Sequence, residues 1–177
     1  DLPAPSLLLP VVRRGGPSAS SDYEPEYRET VEELEGVRPR AALAHVRRGT
    51  SGHFGIPDPH PFLHEGMLFA HNGSLRTTTV ESRLGLDYLT AHPTDYVRGY
   101  PGTGRVDSEV YFLYLLKLMS THPEMDFTNR LLEAVRTVAE DVALFTDGEP
   151  MLNFVLTRGD TLYALQYYGP GYNFEHY

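Results

Sequence analysis

The 177-residue sequence contains no cysteine, no tryptophan and no long run of apolar residues. The lack of cysteine excludes a disulfide framework, a thiolate zinc site and a cysteine nucleophile from these residues. The longest apolar runs, such as residues 6–12 and 67–70, are far shorter than the roughly 20 residues that a membrane-spanning helix needs. The first residues also lack the basic, apolar and small-residue regions of a secretion signal. We therefore expect a soluble, cytoplasmic protein with no membrane partner.

Positive charge is also scarce, because 24 acidic residues against 15 basic ones give a formal net charge of −9. Such a chain repels phosphate backbones, and its basic residues are scattered rather than gathered into a stripe. We therefore expect no nucleic-acid partner. Hydrophobic residues make up 41% and charged residues 22% of the chain, which is typical of a folded globular protein. The length suits one domain.

Short apolar runs alternate with stretches of helical periodicity along the chain. The pattern predicts a surface helix at 24–35, strands at 6–13, 41–46 and 67–70, a helix from Asp107, a second helix capped by Asp126, and a hairpin formed by 151–156 and 161–168. Residues 76–106 are rich in glycine and proline and are predicted to be mostly loop, with a helical turn near Val80–Leu84. This order predicts an α+β domain with helices packed on an antiparallel sheet.

The tripeptide His71-Asn72-Gly73 follows one of these predicted strands. Breaking a side-chain amide requires fixed hydrogen-bond donors for the developing oxyanion, and the Asn72 NH₂ with the Gly73 N–H can supply two. Glycine also lets the main chain approach a ligand and adopt a positive φ. Asn-Gly is equally the most common two-residue hairpin turn, so this pair alone does not separate a site from a turn.

Two charged residues match the ends of a free amino acid. The guanidinium of Arg47, at a predicted strand end, can bind an α-carboxylate, and the carboxylate of Asp107, at a helix start, can accept from an α-ammonium. Thr50 to Gly52 would form a loop beneath such a ligand. The simpler alternatives are a surface ion pair for Arg47, a helix N-cap for Asp107 and an ordinary turn for the loop.

Taken together, these segments form an ordered series. It runs His45-Val46-Arg47, Thr50 and Gly52, His60-Pro61, His71-Asn72-Gly73 and Asp107-Ser108-Glu109. In this order the motifs resemble the glutamine-binding half of the class II glutamine amidotransferases, which have the N-terminal-nucleophile hydrolase fold. The form of the His-Pro-Phe and Ala-His-Asn-Gly segments looks closest to small stand-alone members. The resemblance is strong over residues 40–115.

The resemblance implies antiparallel sheets packed with helices in αββα layers, and an enzyme that releases ammonia from glutamine or cuts a γ-glutamyl-type amide. It implies that Arg47 and Asp107 bind the backbone groups of glutamine and that Thr50 helps to position it. It also implies that Asn72 and Gly73 form the oxyanion hole. No cofactor and no metal are expected.

The family attacks its substrate with an N-terminal cysteine, whereas position 1 here is Asp, and the family's glycine-rich strand with tryptophan is also missing. We therefore expect residues 1–177 to be a single, incomplete domain that lacks its front strand. A preceding segment or a partner chain would supply the cysteine. The alternative is an inactive relative that binds an amino acid without cutting it.

A metal-binding protein is the remaining alternative, because five histidines lie within 27 residues (His45, His53, His60, His64 and His71). Three imidazoles can bind zinc. None of the five shows the i, i+4 spacing of a helical zinc motif, and prolines break the stretch. We expect no metal.

Overall fold

The computed structural model describes residues 12, 25–37, 42–45, 60–94, 105–145 and 151–167. The helices are α1 (Pro25–Val37), α2 (Thr77–Leu84), α3 (Leu86–Ala91), α4 (Asp107–Ser120) and α5 (Phe127–Glu140), with a 3₁₀ turn at Val142–Leu144. The strands are β1 (Phe62–His64), β2 (Met67–Gly73), β3 (Leu152–Arg158) and β4 (Thr161–Leu165). They form one antiparallel sheet in the order β1-β2-β3-β4. The predicted α+β class is confirmed.

Two tight hairpins form the outer pairs of this sheet. Strands β1 and β2 turn through Glu65 and Gly66, whose φ angles are 50° and 74°. Strands β3 and β4 turn through Gly159 and Asp160, with Gly159 at a φ of 60°. Left-handed backbone at such positions matches the right-handed twist of the flanking strands. The hairpin predicted at the end of the chain is therefore confirmed, with its strands at Leu152–Arg158 and Thr161–Leu165.

Helix α4 is the centre of the core. All of its residues from Asp107 to Leu116 are buried, which is the pattern of a helix enclosed by other elements. On the sheet, Phe69 stacks against Phe112 of this helix with ring centroids 4.6 Å apart. Helix α4 also packs against α2 and α5. The helix predicted from Asp107 is confirmed.

Helix α5 packs through one face only. Its buried residues recur at helical spacing: Leu131, Ala134, Val135 and Val138. The Asp126 carboxylate accepts the Asn129 backbone N–H at 2.9 Å and so begins the helix as predicted.

The helical turn predicted near Val80–Leu84 is confirmed as part of α2. The loop predicted for the rest of 76–106 is wrong for 77–79 and 86–91, which form the start of α2 and all of α3. Only Gly85, at a φ of 78°, interrupts the helical backbone between them. These short helices are stabilised by tertiary contacts, because Val80, Leu84 and Leu89 are buried in the core.

The predicted buried strand at 41–46 is wrong for the described residues 42–45, which have no regular structure. Two of these four residues are alanines, and both are exposed. Alanine is depleted in strands, so an apolar run of this composition is a weak strand signal.

Several expectations concern residues that lie outside the described ranges or are not tested by them. The strand predicted at 6–13 lies outside, apart from Val12. The described strands form a single sheet, so the second sheet of an αββα arrangement stays a prediction, as does the single incomplete domain. Among the described helices, none has the length and apolar character needed to cross a membrane.

Candidate functional site

Asn72 and Gly73 lie at the end of strand β2, not in a turn. They pair with Asn153 and Leu152 of β3, so the hairpin-turn alternative is wrong. Because side chains alternate along a strand, the exposed Asn72 side chain projects from the sheet face opposite to that of the buried His71. The amide of Asn72 therefore lies away from the helices that cover the His71 face.

Gly73 is required by close packing. A Cβ at this position would overlap the carbonyl oxygen of Met151 and lie 2.5 Å from Nε2 of His71. The positive φ that was the second reason to expect glycine is absent here. Glycine thus lets the strand end lie directly against the Met151 carbonyl.

His71 connects three segments of the chain. Its Nδ1 lies 3.0 Å from Oγ of Ser108, and its Nε2 lies 3.2 Å from the carbonyl oxygen of Met151. A carbonyl only accepts, so Nε2 carries the proton and donates it, and Nδ1 accepts from the Ser108 hydroxyl. Burial lowers the pKa of His71 from 6.5 to about 4, against an opposing effect of Asp107. The ring is therefore neutral at neutral pH.

The first turn of α4 binds the β1–β2 hairpin and the segment that follows it. Oδ2 of Asp107 accepts the Leu75 backbone N–H at 3.2 Å. The next residue, Ser108, donates to His71, and Oε1 of Glu109 lies 3.0 Å from Nε2 of His64. Asp107, Ser108 and Glu109 are all buried, and each forms a hydrogen bond with a different residue.

Asp107 is not the N-cap of its helix, because the cap position is Val106 and makes no side-chain cap bond. The N-cap alternative is therefore wrong. As a first-turn residue, the Asp107 carboxylate lies near the positive end of the helix dipole, where negative charge is stabilised.

Of the five predicted site residues, the structure describes three: Asn72, Gly73 and Asp107. Asp107 is bonded to Leu75, two residues beyond Gly73, so the start of α4 adjoins the end of β2 and the Asn72-Gly73 pair. The following residue, Arg76, is fixed by its N–H to the Leu144 carbonyl at 2.7 Å. Arg47 and Thr50 lie outside the described residues.

Sequence reasoning assigned no role to His71, Ser108, Glu109 or the Met151 carbonyl. The first three were visible in the motifs, but their pairing joins residues 37 and 45 positions apart, which only the fold reveals. Met151 contributes a backbone atom, so its side chain carried no signal.

Of the five histidines that suggested a metal, His64 and His71 make the hydrogen bonds given above. His45 and His60 lie with ring centroids 4.1 Å apart, and His53 lies outside the described residues. Within the described part of the chain, no three His, Asp or Glu side chains converge as metal ligands would.

The family model described as "Glutamine amidotransferases class-II" matches residues 11–168 of this chain. A Haemophilus influenzae protein named "Putative glutamine amidotransferase" is 28% identical over 127 residues. That match covers 69% of this chain and 37% of the Haemophilus protein, so the chain corresponds to well under half of that relative.

Proposed function

Since the chain belongs to the class II glutamine amidotransferases, we propose that it binds glutamine or a related γ-glutamyl compound and holds the side-chain amide for hydrolysis to ammonia. The observation that carries this proposal is the junction between the end of β2 and the start of α4. There, the buried carboxylate of Asp107 accepts the N–H of Leu75, two residues beyond Gly73, and the exposed Asn72 amide projects from the sheet face opposite to His71.

The Asn72-Gly73 pair would serve as the oxyanion hole. When a nucleophile attacks the amide carbon, the oxygen gains negative charge, which the Asn72 NH₂ and Gly73 N–H would stabilise. Such donors work best when they are fixed before the reaction. The His71 ring supports this, because it links the strand end to Ser108 and Met151.

The charged ends of the substrate would be bound by Arg47 and Asp107. The planar guanidinium of Arg47 suits the α-carboxylate, and Asp107 suits the α-ammonium. An ionised carboxylate accepts several hydrogen bonds, so the bond from Leu75 is compatible with this role. Thr50 would help to position the substrate in the same site.

The nucleophile would be an N-terminal cysteine that is not among these 177 residues. A preceding segment or a partner chain would supply it, as in an N-terminal-nucleophile hydrolase. Its thiolate would attack the side-chain amide carbon, Cδ, and form a thioester there, while the C–N bond breaks and the nitrogen takes a proton and leaves as ammonia. Water would then hydrolyse the thioester, giving glutamate and regenerating the thiol.

A second candidate is a protein that binds the amino acid through the same residues without cutting it. The same residues would then act as an amino-acid sensor. Both candidates require glutamine binding, and only the first releases ammonia.

The binding step is tested by isothermal titration of the chain with L-glutamine. Changing Arg47→Ala or Asp107→Asn should weaken binding about tenfold or more, because each removes a charge-assisted hydrogen bond. Arg136→Ala is the matched control, since this exposed residue lies on α5 away from the junction. Failure of wild-type protein to bind any γ-glutamyl compound would refute both candidates.

A further inference from the structure

A groove lies at the end of the sheet opposite to the Asn72-Gly73 pair. It adjoins Met67, the first residue of β2, and Arg158, the last residue of β3, which pair with each other. At about 3.3 Å per strand residue, it is roughly 20 Å from Gly73. Its volume of about 420 Å³ is within the range of small-molecule sites.

The groove has apolar walls and a cationic end. Met67, Leu116, Met119 and Phe127 supply apolar surface. The guanidinium of Arg158 lies over the Phe127 ring, 4.5 Å from its centroid, so its position is set by a cation–π contact.

Arg130 is the second cation in the lining. Its Nε is buried and has no hydrogen-bond partner. Within the described residues, neither Arg130 nor Arg158 forms a salt bridge, although the chain carries a net charge of −9. A buried donor without an acceptor destabilises the folded protein, and a bound acceptor would remove that cost.

The other polar groups of the lining leave the arginines as the dominant charge. Glu65 is exposed, so water screens its carboxylate. His92 uses Nδ1 on the Tyr88 carbonyl at 3.0 Å and stacks its ring on Tyr88. Asp126, one turn before Arg130 on α5, attracts that arginine but is exposed, as is Arg158. The lining itself therefore holds two arginines and one carboxylate, with Arg130 the less exposed of the two cations.

We propose that this groove binds a small organic anion, whose carboxylate or phosphate meets Arg130 and Arg158 and whose apolar body lies along Met67, Leu116 and Met119. Guanidinium groups match the planar, bidentate geometry of both anions. The apolar wall adds affinity for a hydrocarbon or aromatic group that inorganic anions lack. This site is separate from the proposed glutamine site and does not depend on it.

The test is isothermal titration calorimetry of the protein with phenyl phosphate and with phenylacetate. Inorganic phosphate is titrated in the same way as the reference. At least one aromatic anion should bind about tenfold more tightly than inorganic phosphate. The tighter of the two identifies the anion that the groove prefers.

Arg130→Gln should weaken this binding about tenfold or more, and Arg130→Lys, which keeps the charge without the planar fork, should weaken it less. Arg136→Gln, the exposed arginine on the same helix, is the matched control and should bind as wild type does. Thermal melting of each variant verifies folding.

Binding that is absent in wild type, or equal in wild type and Arg130→Gln, would overturn the groove proposal and leave the glutamine proposal intact. Displacement of phenyl phosphate by L-glutamine would also overturn it.

Discussion

His71 and Gly73 are the residues in which packing and proposed chemistry meet most closely. The imidazole donates to the Met151 carbonyl and accepts from Ser108, and the missing side chain of Gly73 leaves room for both ring and carbonyl. The motif could be recognised in the sequence, whereas its hydrogen-bond pattern could not. The Asn-Gly pair reads equally well as a turn until its strand partners are known.

Acid should destabilise the protein in part through His71. Its pKa is about 4 in the folded chain, against an ordinary value of 6.5, so between these values the unfolded chain binds more protons. His71 therefore does not lower the free energy of unfolding above about pH 6.5. As the pH falls from 6.5 towards 4, protonation of His71 in the unfolded chain lowers the free energy of unfolding by about 3 kcal/mol at most. Urea unfolding of wild type and His71→Gln across this range measures it. The two curves should converge at low pH, and parallel curves would contradict the assignment.

Gly73→Ala should destabilise the protein by about 1–3 kcal/mol, because the new methyl group would force β2 away from the Met151 carbonyl. Gly36→Ala is the control, since a Cβ there meets no atom within 4 Å and the residue lies in helix α1. It should be neutral or stabilising by up to about 1 kcal/mol. Denaturant unfolding compares the two, and equal stability of Gly73→Ala and wild type would show that the contact is not tight.

At the scale of elements, helices α4 and α5 were predictable because their apolar residues recur at helical spacing. Asp126 is also a recognisable N-cap residue for α5. Only one turn of α2 was predicted and α3 was missed, because both helices are short, are separated at Gly85 and depend on burial in the core. The only lysine of the chain, Lys117, makes part of that connection. Its Nζ donates to the carbonyls of Arg83 and Leu84 at 2.8 Å each, at the end of α2.

Lys117→Met should therefore loosen α2 from α4. The methionine keeps an unbranched apolar stem but leaves two carbonyls without their charged donor, at a cost of about 1.5 kcal/mol or more. Arg136→Gln should change stability by less than about 1 kcal/mol, because its guanidinium is exposed and forms a surface ion pair with Glu133 at 3.6 Å. Thermal melts of the two variants provide the comparison. A wild-type melting temperature for Lys117→Met would show that the two bonds contribute nothing.

At the scale of the whole molecule, the α+β class followed from the order of the predicted elements, and the family followed from the motifs in their chain order. What the sequence could not supply was the contact between motifs. Asp107, Ser108 and Glu109 each meet a partner that lies 32 to 45 residues earlier. Local patterns do not determine such pairings, because they depend on how β2 and α4 pack.

The central claim is that Asn72 and Gly73 serve glutamine hydrolysis, and ammonia release by the full-length protein with its native N-terminus tests it most directly. We expect ammonia and glutamate in equal amounts, loss of activity on alkylation of an N-terminal cysteine, and a fall in kcat of about 10²-fold or more for Asn72→Ala. A protein that opens with cysteine and binds glutamine, yet releases no ammonia, would contradict the claim and leave an amino-acid-binding domain.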